Sequence, residues 1–182
     1  MSFHSKVNAR YQVQIVAAPE RHNPSAEWAK EQSEESQFNP NYHVQSSTET
    51  VKSGLFLHKY HDEGKKWDYY LLSSSPNIKD HKAVISHIAG MQDLKSGKFI
   101  VAQAITRKGH RKRGWGVLLH SLVADRNNGL LSGDTLSLGE DKVFQKLAQN
   151  PKYKVTFGKK GVGDSKHIVD LIKFEERNGT EN

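Results

Sequence analysis

The residues with the clearest capacity for chemistry lie together between positions 107 and 116. Arg107, Lys108, Arg111, Lys112 and Arg113 crowd five cations into seven positions, and Gly114 and Gly116 follow directly on either side of Trp115. The preceding run, Phe99-Ile100-Val101-Ala102-Gln103-Ala104-Ile105, is nearly continuous apolar sequence, as in a central strand covered on both faces. Apolar positions 117, 118, 119, 122 and 123 then form a helical stripe that Asn128-Gly129 terminates. A helix start presents unpaired amides and about half a unit of positive charge. Glycines remove side chains where a ligand must approach the backbone. Strand, basic loop and glycine-flanked helix start therefore make a cradle for a pyrophosphate. The same residues also suit a solvated basic surface with glycines as turn punctuation. The spacing is neither Gly-x-x-x-x-Gly-Lys-Ser/Thr nor Gly-x-Gly-x-x-Gly.

Other chemistries are thinner. The chain has no cysteine, which excludes a thiolate nucleophile, a disulfide frame and sulfur-ligated zinc. His58-x-x-His61, followed by Asp62 and Glu63, has the residue types of a metal site, but in a strand an i, i+3 pair points to opposite faces. No metal is expected. His87 has the side chain of a general base, and His120 reads as packed or solvated. Trp115 reads either as a cover over a bound ligand or as core. The basic run 107–113 can neutralise nucleic-acid phosphates. Phe56, Tyr60, Trp67, Tyr69 and Tyr70 could stack on bases, or simply pack a hairpin.

These residues need elements to hold them. Residues 11–16 alternate as a half-buried strand, and Asn23-Pro24-Ser25 begins a charged helix over about 26–37 with Trp28 as an anchor. Residues 38–53 read as loop plus a short helix. Residues 55–60 and 67–72 flank Asp62-Glu63-Gly64-Lys65 as an antiparallel hairpin. Residues 83–91 fit a strand or a short helix equally. Residues 131–138 hold a short strand. Ser137-Leu138-Gly139-Glu140 has capping-box spacing for a helix whose buried face is Val143, Phe144, Leu147 and Ala148, with Pro151 forbidding its continuation. Residues 153–157 and 168–172 make two strands joined by the glycine-rich loop 158–165. This order predicts one α/β (α+β) domain over 1–182, with a mixed, mostly antiparallel sheet and helices on both faces. Flexible tails are expected at 1–8 and 175–182.

Bulk composition sets the outer limits. A length of 182 residues suits one domain with a real core. No apolar run approaches the roughly 20 residues of a membrane span, and the first residues lack a secretory apolar stretch, so cytoplasm is the expected compartment and a membrane is not an expected partner. A net charge of +7 favours anionic partners without choosing among them.

Arg111-x-x-Gly114-x-Gly116, set between an apolar strand and an amphipathic helix, resembles the acyl-CoA motif of the GNAT acetyltransferase superfamily, and the strand–helix–strand–helix–strand–strand order over 99–174 is similar to that family's core. Gly129-Leu130-Leu131-Ser132-Gly133-Asp134 resembles a "GL-SD" stretch of its phage and bacterial members, with an inserted glycine. The resemblance implies acetyl-CoA, or another acyl-CoA, as co-substrate. It implies that Arg111, Lys112, Arg113, Gly114, Trp115 and Gly116 surround the pyrophosphate, and that the edge at Ala104, Ile105 and Thr106 bonds the pantetheine arm. A splay between that strand and the next would admit an amine, carried by a protein or a small molecule, that attacks the thioester directly. Phe144 stands where the family often carries a proton-donating tyrosine, and phenylalanine cannot donate. Ser137 is the nearest candidate acid in sequence, and Tyr153 lies beyond the helix's far end. The resemblance also fits a catalytically weak GNAT-like module that binds nucleic acid or an acidic partner through residues 107–113.

Overall fold

The computed structural model describes residues 14–16, 38, 46–133, 135–159 and 166–172. Eight strands form a sheet in the order β2 (Ser46–Lys52), β3 (Leu55–Asp62), β4 (Trp67–Ser73), β5 (Val84–Gln92), β6 (Phe99–Thr106), β7 (Leu130–Ser132), β10 (Ile168–Leu171), β9 (Tyr153–Thr156). All neighbours are antiparallel except β6 and β7, which run parallel and are joined through helix α1 (Trp115–Arg126). Two further strands, β1 (Gln14–Val16) and β8 (Thr135–Ser137), pair parallel as a separate ribbon, and helix α2 (Leu138–Leu147) follows β8 directly. The protein is therefore α+β, with a mostly antiparallel mixed sheet and two helices among the described residues.

Alternation along the central strands separates two clusters. Tyr70, Leu72, Ile88, Phe99 and Val101 point into the first, where α1 contributes Leu119, Val123 and Ala124 and α2 contributes Phe144 and Leu147. Tyr69, Leu71 and Ala89 point into the second, with Phe38, Tyr60 and Val84. Neither helix contributes to this second cluster. Helices on both faces were expected, but both described helices serve the first cluster. The helix expected over 26–37 lies outside the described residues, as do both tails and most of the 158–165 loop.

The hairpin of β3 and β4 forms as its sequence indicates, with Asp62 Oδ1 accepting from the amides of Gly64 and Lys65 at 2.9 and 3.1 Å. Residues 83–91, open between strand and helix, are strand in β5. Two expectations need correction. Residues 46–52 are the edge strand β2, not loop or helix. Almost every side chain of that strand is exposed, so it carries no apolar alternation, and its conformation comes from pairing with β3. The single strand expected over 131–138 is two, since Leu130–Ser132 stays in the sheet between β6 and β10 while Thr135–Ser137 leaves to join β1.

One local irregularity shapes the sheet. Ala89 pairs with Gln103 but Gly90 pairs with Val101, leaving Ala102 as an extra residue, a bulge in β6. The β6–β7 pairing stops at the same place, at Val101 opposite Ser132. Beyond it, residues 102–106 of β6 have β5 as their one strand partner among the described residues. Gly90 makes the bulge possible: a Cβ there would sit 1.8 Å from the Ile100 carbonyl oxygen. Gly90→Ala should therefore destabilise the protein by about 3 kcal/mol or more, read from the urea midpoint. A loss under about 1 kcal/mol would mean that the bulge is not held as described.

Candidate functional site

The end of β6 and the start of α1 enclose the site. Lys112 and Gly114 both have left-handed backbones, with φ of 62° and 81°, so the chain turns sharply twice before the helix. Gly114 is the N-cap and offers no side-chain cap. The first amide of this region to find a backbone partner is that of Leu118, which donates to Gly114 O at 3.0 Å. Among the described residues, none accepts from the amides of Lys112, Arg113, Gly114, Trp115 or Gly116. A short arc of N–H groups in turn geometry, ahead of a 12-residue helix, has the form of an anion-binding concavity.

The cations around it divide into two kinds. Arg107 donates through Nε to Val84 O and through Nη2 to His81 O, both at 2.8 Å, and its guanidinium lies 4.4 Å from the Phe38 ring centroid. Arg111 Nε donates to Thr106 O at 2.8 Å, folding the loop back onto the end of β6. These two arginines shape the loop as well as charging it. Lys112 and Arg113 are exposed beside the unpaired amides. Gly116 leaves a gap: a Cβ there would stand 3.5 Å from Thr106 Oγ1 and 3.8 Å from Val143 Cγ2, ordinary contact distances. Trp115 packs partly on the first cluster, with Lys52 Nζ 5.8 Å from its ring centroid, and its buried indole Nε1 has no hydrogen-bond partner.

The strand edge is more selective than the sequence suggested. Arg107 N donates to Ile85 O, and Ser86 Oγ donates to Ile105 O at 3.1 Å, so the Ile105 carbonyl turns inward to β5. By alternation the peptide groups of Ala104 and Thr106 turn to the open edge. Of the three residues expected to bond an arm along this edge, Ile105 is thus turned away. Ser86 Oγ and Thr106 Oγ1 lie 2.9 Å apart, close to the Gly116 gap.

The two helices meet through a buried ion pair. His120 Nδ1 donates to Gly116 O at 2.6 Å, and Nε2 donates to Glu140 Oε1 at 2.5 Å. Both ring nitrogens face acceptors, the pattern of an imidazolium. Burial opposes the charge on His120, but the Glu140 carboxylate, its hydrogen bond and the Gly116 carbonyl outweigh it and raise the pKa. Stability from this pair is present below the ordinary histidine range and is lost as pH rises through the raised value. Glu140 was expected to return to the Ser137 amide in a capping box; it reaches His120 instead. Ser137 Oγ does cap α2, accepting from Glu140 N at 3.1 Å. That bond uses a lone pair and leaves the hydroxyl proton free to donate.

Phe144 is fully buried between two histidine edges, with centroids 6.2 Å from His120 and 5.4 Å from His167. His167 accepts from Gly158 N through Nδ1 and donates from Nε2 to Asp141 Oδ1 at 2.7 Å. Tyr153 donates to Asp125 Oδ1 at 2.7 Å near the far end of α1, and burial and that carboxylate raise its pKa well above the normal tyrosine value. It has no part at the site. His58 is buried, donating from Nε2 to Ser75 O and accepting from Thr48, while His61 pairs with Asp68. The two belong to different networks, and among the described residues no group of three or more His, Asp or Glu side chains is placed to hold a metal.

His87 stands apart from these satisfied histidines. It lies on β5 opposite Leu71 and Ile105, 1% exposed, and neither ring nitrogen has a hydrogen-bond partner. Burial alone lowers its pKa to about 4.

No family model matches the chain, and no curated protein sequence matches it at a significant level.

His87 supplies a test of this electrostatic picture. Its folded pKa lies below its unfolded value near 6.5, so the unfolded state binds the extra proton between those values. Its contribution is intact above about 6.5 and is lost as pH falls through about 4, to the extent of roughly 3 kcal/mol. Urea midpoints measured from pH 7.5 to 4 should decline more steeply for the wild type than for His87→Leu. Parallel declines would show that His87 is not held neutral by burial.

Proposed function

We propose that the protein is a GNAT-like N-acyltransferase that moves an acetyl group from acetyl-CoA to an amine by direct attack. The observation that carries this reading is the arc of unpaired amides from Lys112 to Gly116 beside a strand whose edge is open from Ala102 onward. The amides and the positive helix end suit a diphosphate, and Lys112 and Arg113 add charge where it would sit. The outward peptide groups of Ala104 and Thr106 suit the amide-rich pantetheine arm. A parallel β6–β7 pairing that ends after three residue pairs is compatible with the splay that the GNAT resemblance implies. Acetyl-CoA supplies the activated acyl group and a leaving thiolate. The chain's own residues bind and orient, and Ser137, with its proton uncommitted, is the candidate donor to the departing sulfur.

A second reading rests on Phe144, whose buried ring supplies no proton in place of the usual tyrosine. It makes the protein a GNAT-like module that binds nucleic acid or an acidic partner through residues 107–113.

Calorimetry separates the two. Gly116 is the better position to alter, because Gly114 has a left-handed backbone that any side chain strains. The wild type should bind acetyl-CoA, and Gly116→Val should weaken binding at least tenfold, about 1.4 kcal/mol, with circular dichroism unchanged. No heat with acetyl-CoA, together with salt-dependent binding of duplex DNA, would favour the module.

A further inference from the structure

We infer that His120 and Glu140 are positioning residues for the acyl carrier: the charge their pair carries behind Gly116 sets how tightly the cradle holds a diphosphate. This rests on the acyl-CoA reading of that cradle. His120 Nδ1 lies 2.6 Å from Gly116 O and Nε2 lies 2.5 Å from Glu140 Oε1, so the ring sits between two acceptors. A neutral imidazole has one N–H and can serve only one of them. With one further proton the pair satisfies both acceptors and is neutral as a whole. Without that proton it carries one negative charge, and one contact is lost.

The place of that charge gives it a consequence. Gly116 is the last residue of the unpaired arc, and its own carbonyl is the one that His120 holds. Glu140, being charged, retains the remaining N–H, because bonds to an ionised acceptor are the stronger ones. The lone pair of Nδ1 then faces the Gly116 carbonyl and repels it, which disturbs the start of α1. Negative charge is also left beside a site suited to an anion. The side chains of His120 and Glu140 are 2% and 15% exposed, so salt screens this charge little. The cations of Lys112 and Arg113 are exposed, and salt screens them well.

The surroundings make the pair the group that titrates here. Burial opposes the charge on His120, and the Glu140 carboxylate, its hydrogen bond and the Gly116 carbonyl outweigh it and raise the pKa. Glu140 lies in the first turn of α2, where a helix start favours a carboxylate, so the imidazole is the group that gives up the proton. Phe144 meets the ring from α2, and His167 beyond it is bonded to Asp141. From the sheet, the shared core presents Leu72, Ile88 and Val101, while the Tyr70 hydroxyl is bonded to Asn127 at the other end of α1. Ahead of the helix stand Arg111, Lys112 and Arg113. The pair therefore keeps its proton past the ordinary histidine range and loses it on the alkaline side.

The test is acetyl-CoA calorimetry from about pH 7 to 9.5 on wild type, His120→Gln, Glu140→Gln and the double variant. The wild type should lose at least fivefold in affinity over that range. His120→Gln leaves the Glu140 charge in place at every pH and should match the alkaline wild type throughout. Glu140→Gln and the double variant carry no such charge. Both should bind within twofold of the wild type at pH 7 and stay level. A clamp that acts by packing alone would weaken the two single variants equally. That outcome, or a level wild type, would overturn the assignment. Linkage is reciprocal, so the wild type gives a second reading should a variant fail to fold. The ring 15N resonances of His120 should titrate at least half a pH unit higher in saturating acetyl-CoA, and an unmoved midpoint would sink the inference. Absence of acetyl-CoA binding by the wild type at every pH removes the acyl-CoA reading and this inference with it.

Discussion

Parallel strands β6 and β7 share only three residue pairs before they part, and the separation begins at a bulge that Gly90 permits by letting the Ile100 carbonyl come close. A sheet interior normally satisfies its peptide groups on both sides. Here, among the described residues, a central strand has no strand partner on one edge over its last residues, and the following loop leads into a helix whose opening amides are also unpaired. The two sets of groups lie at consecutive places along the chain. Arg111, bonded to Thr106, brings the loop back onto the strand end so that the two sets adjoin.

The surrounding structure holds this arrangement in place. On one face, the His120–Glu140 pair fastens the second turn of α1 to the first turn of α2, and the same imidazole binds the Gly116 carbonyl. That bond fixes the peptide groups just inside the cradle. Gly129, where a Cβ would stand 2.1 Å from Val169 O, lets β10 close against the start of β7. On the other face, Arg107 ties the loop to the carbonyls of Val84 and His81 while covering Phe38. Residues that look alike in the basic run thus have different duties.

Much of this was legible in the residues. The apolar run 99–105, the helical stripe from 117 and the Asp-x-Gly turn carry strong local signals, and the elements form where those signals place them. The Ser137 cap also formed as its spacing indicates. The partner of Glu140 was not legible, since nothing in the spacing links position 140 to position 120; the pair exists because two helices pack. Strand β2 was missed because its side chains face solvent and its conformation comes from β3. The bulge at Ala102 escaped notice because its cause, Gly90, lies on another strand. The unpaired ring nitrogens of His87 likewise depend on rings brought from Phe38 and Tyr69.

The central claim is that the amides of Lys112 to Gly116 converge on one diphosphate. The most direct measurement is a titration of 15N-labelled protein with CoA, followed by amide resonances. The account predicts the largest shifts at residues 112–116, reproduced by inorganic pyrophosphate at these amides alone and extended by CoA to Ala104 and Thr106. Shifts confined to lysine and arginine side chains, or spread over the surface without focus on that arc, would contradict it.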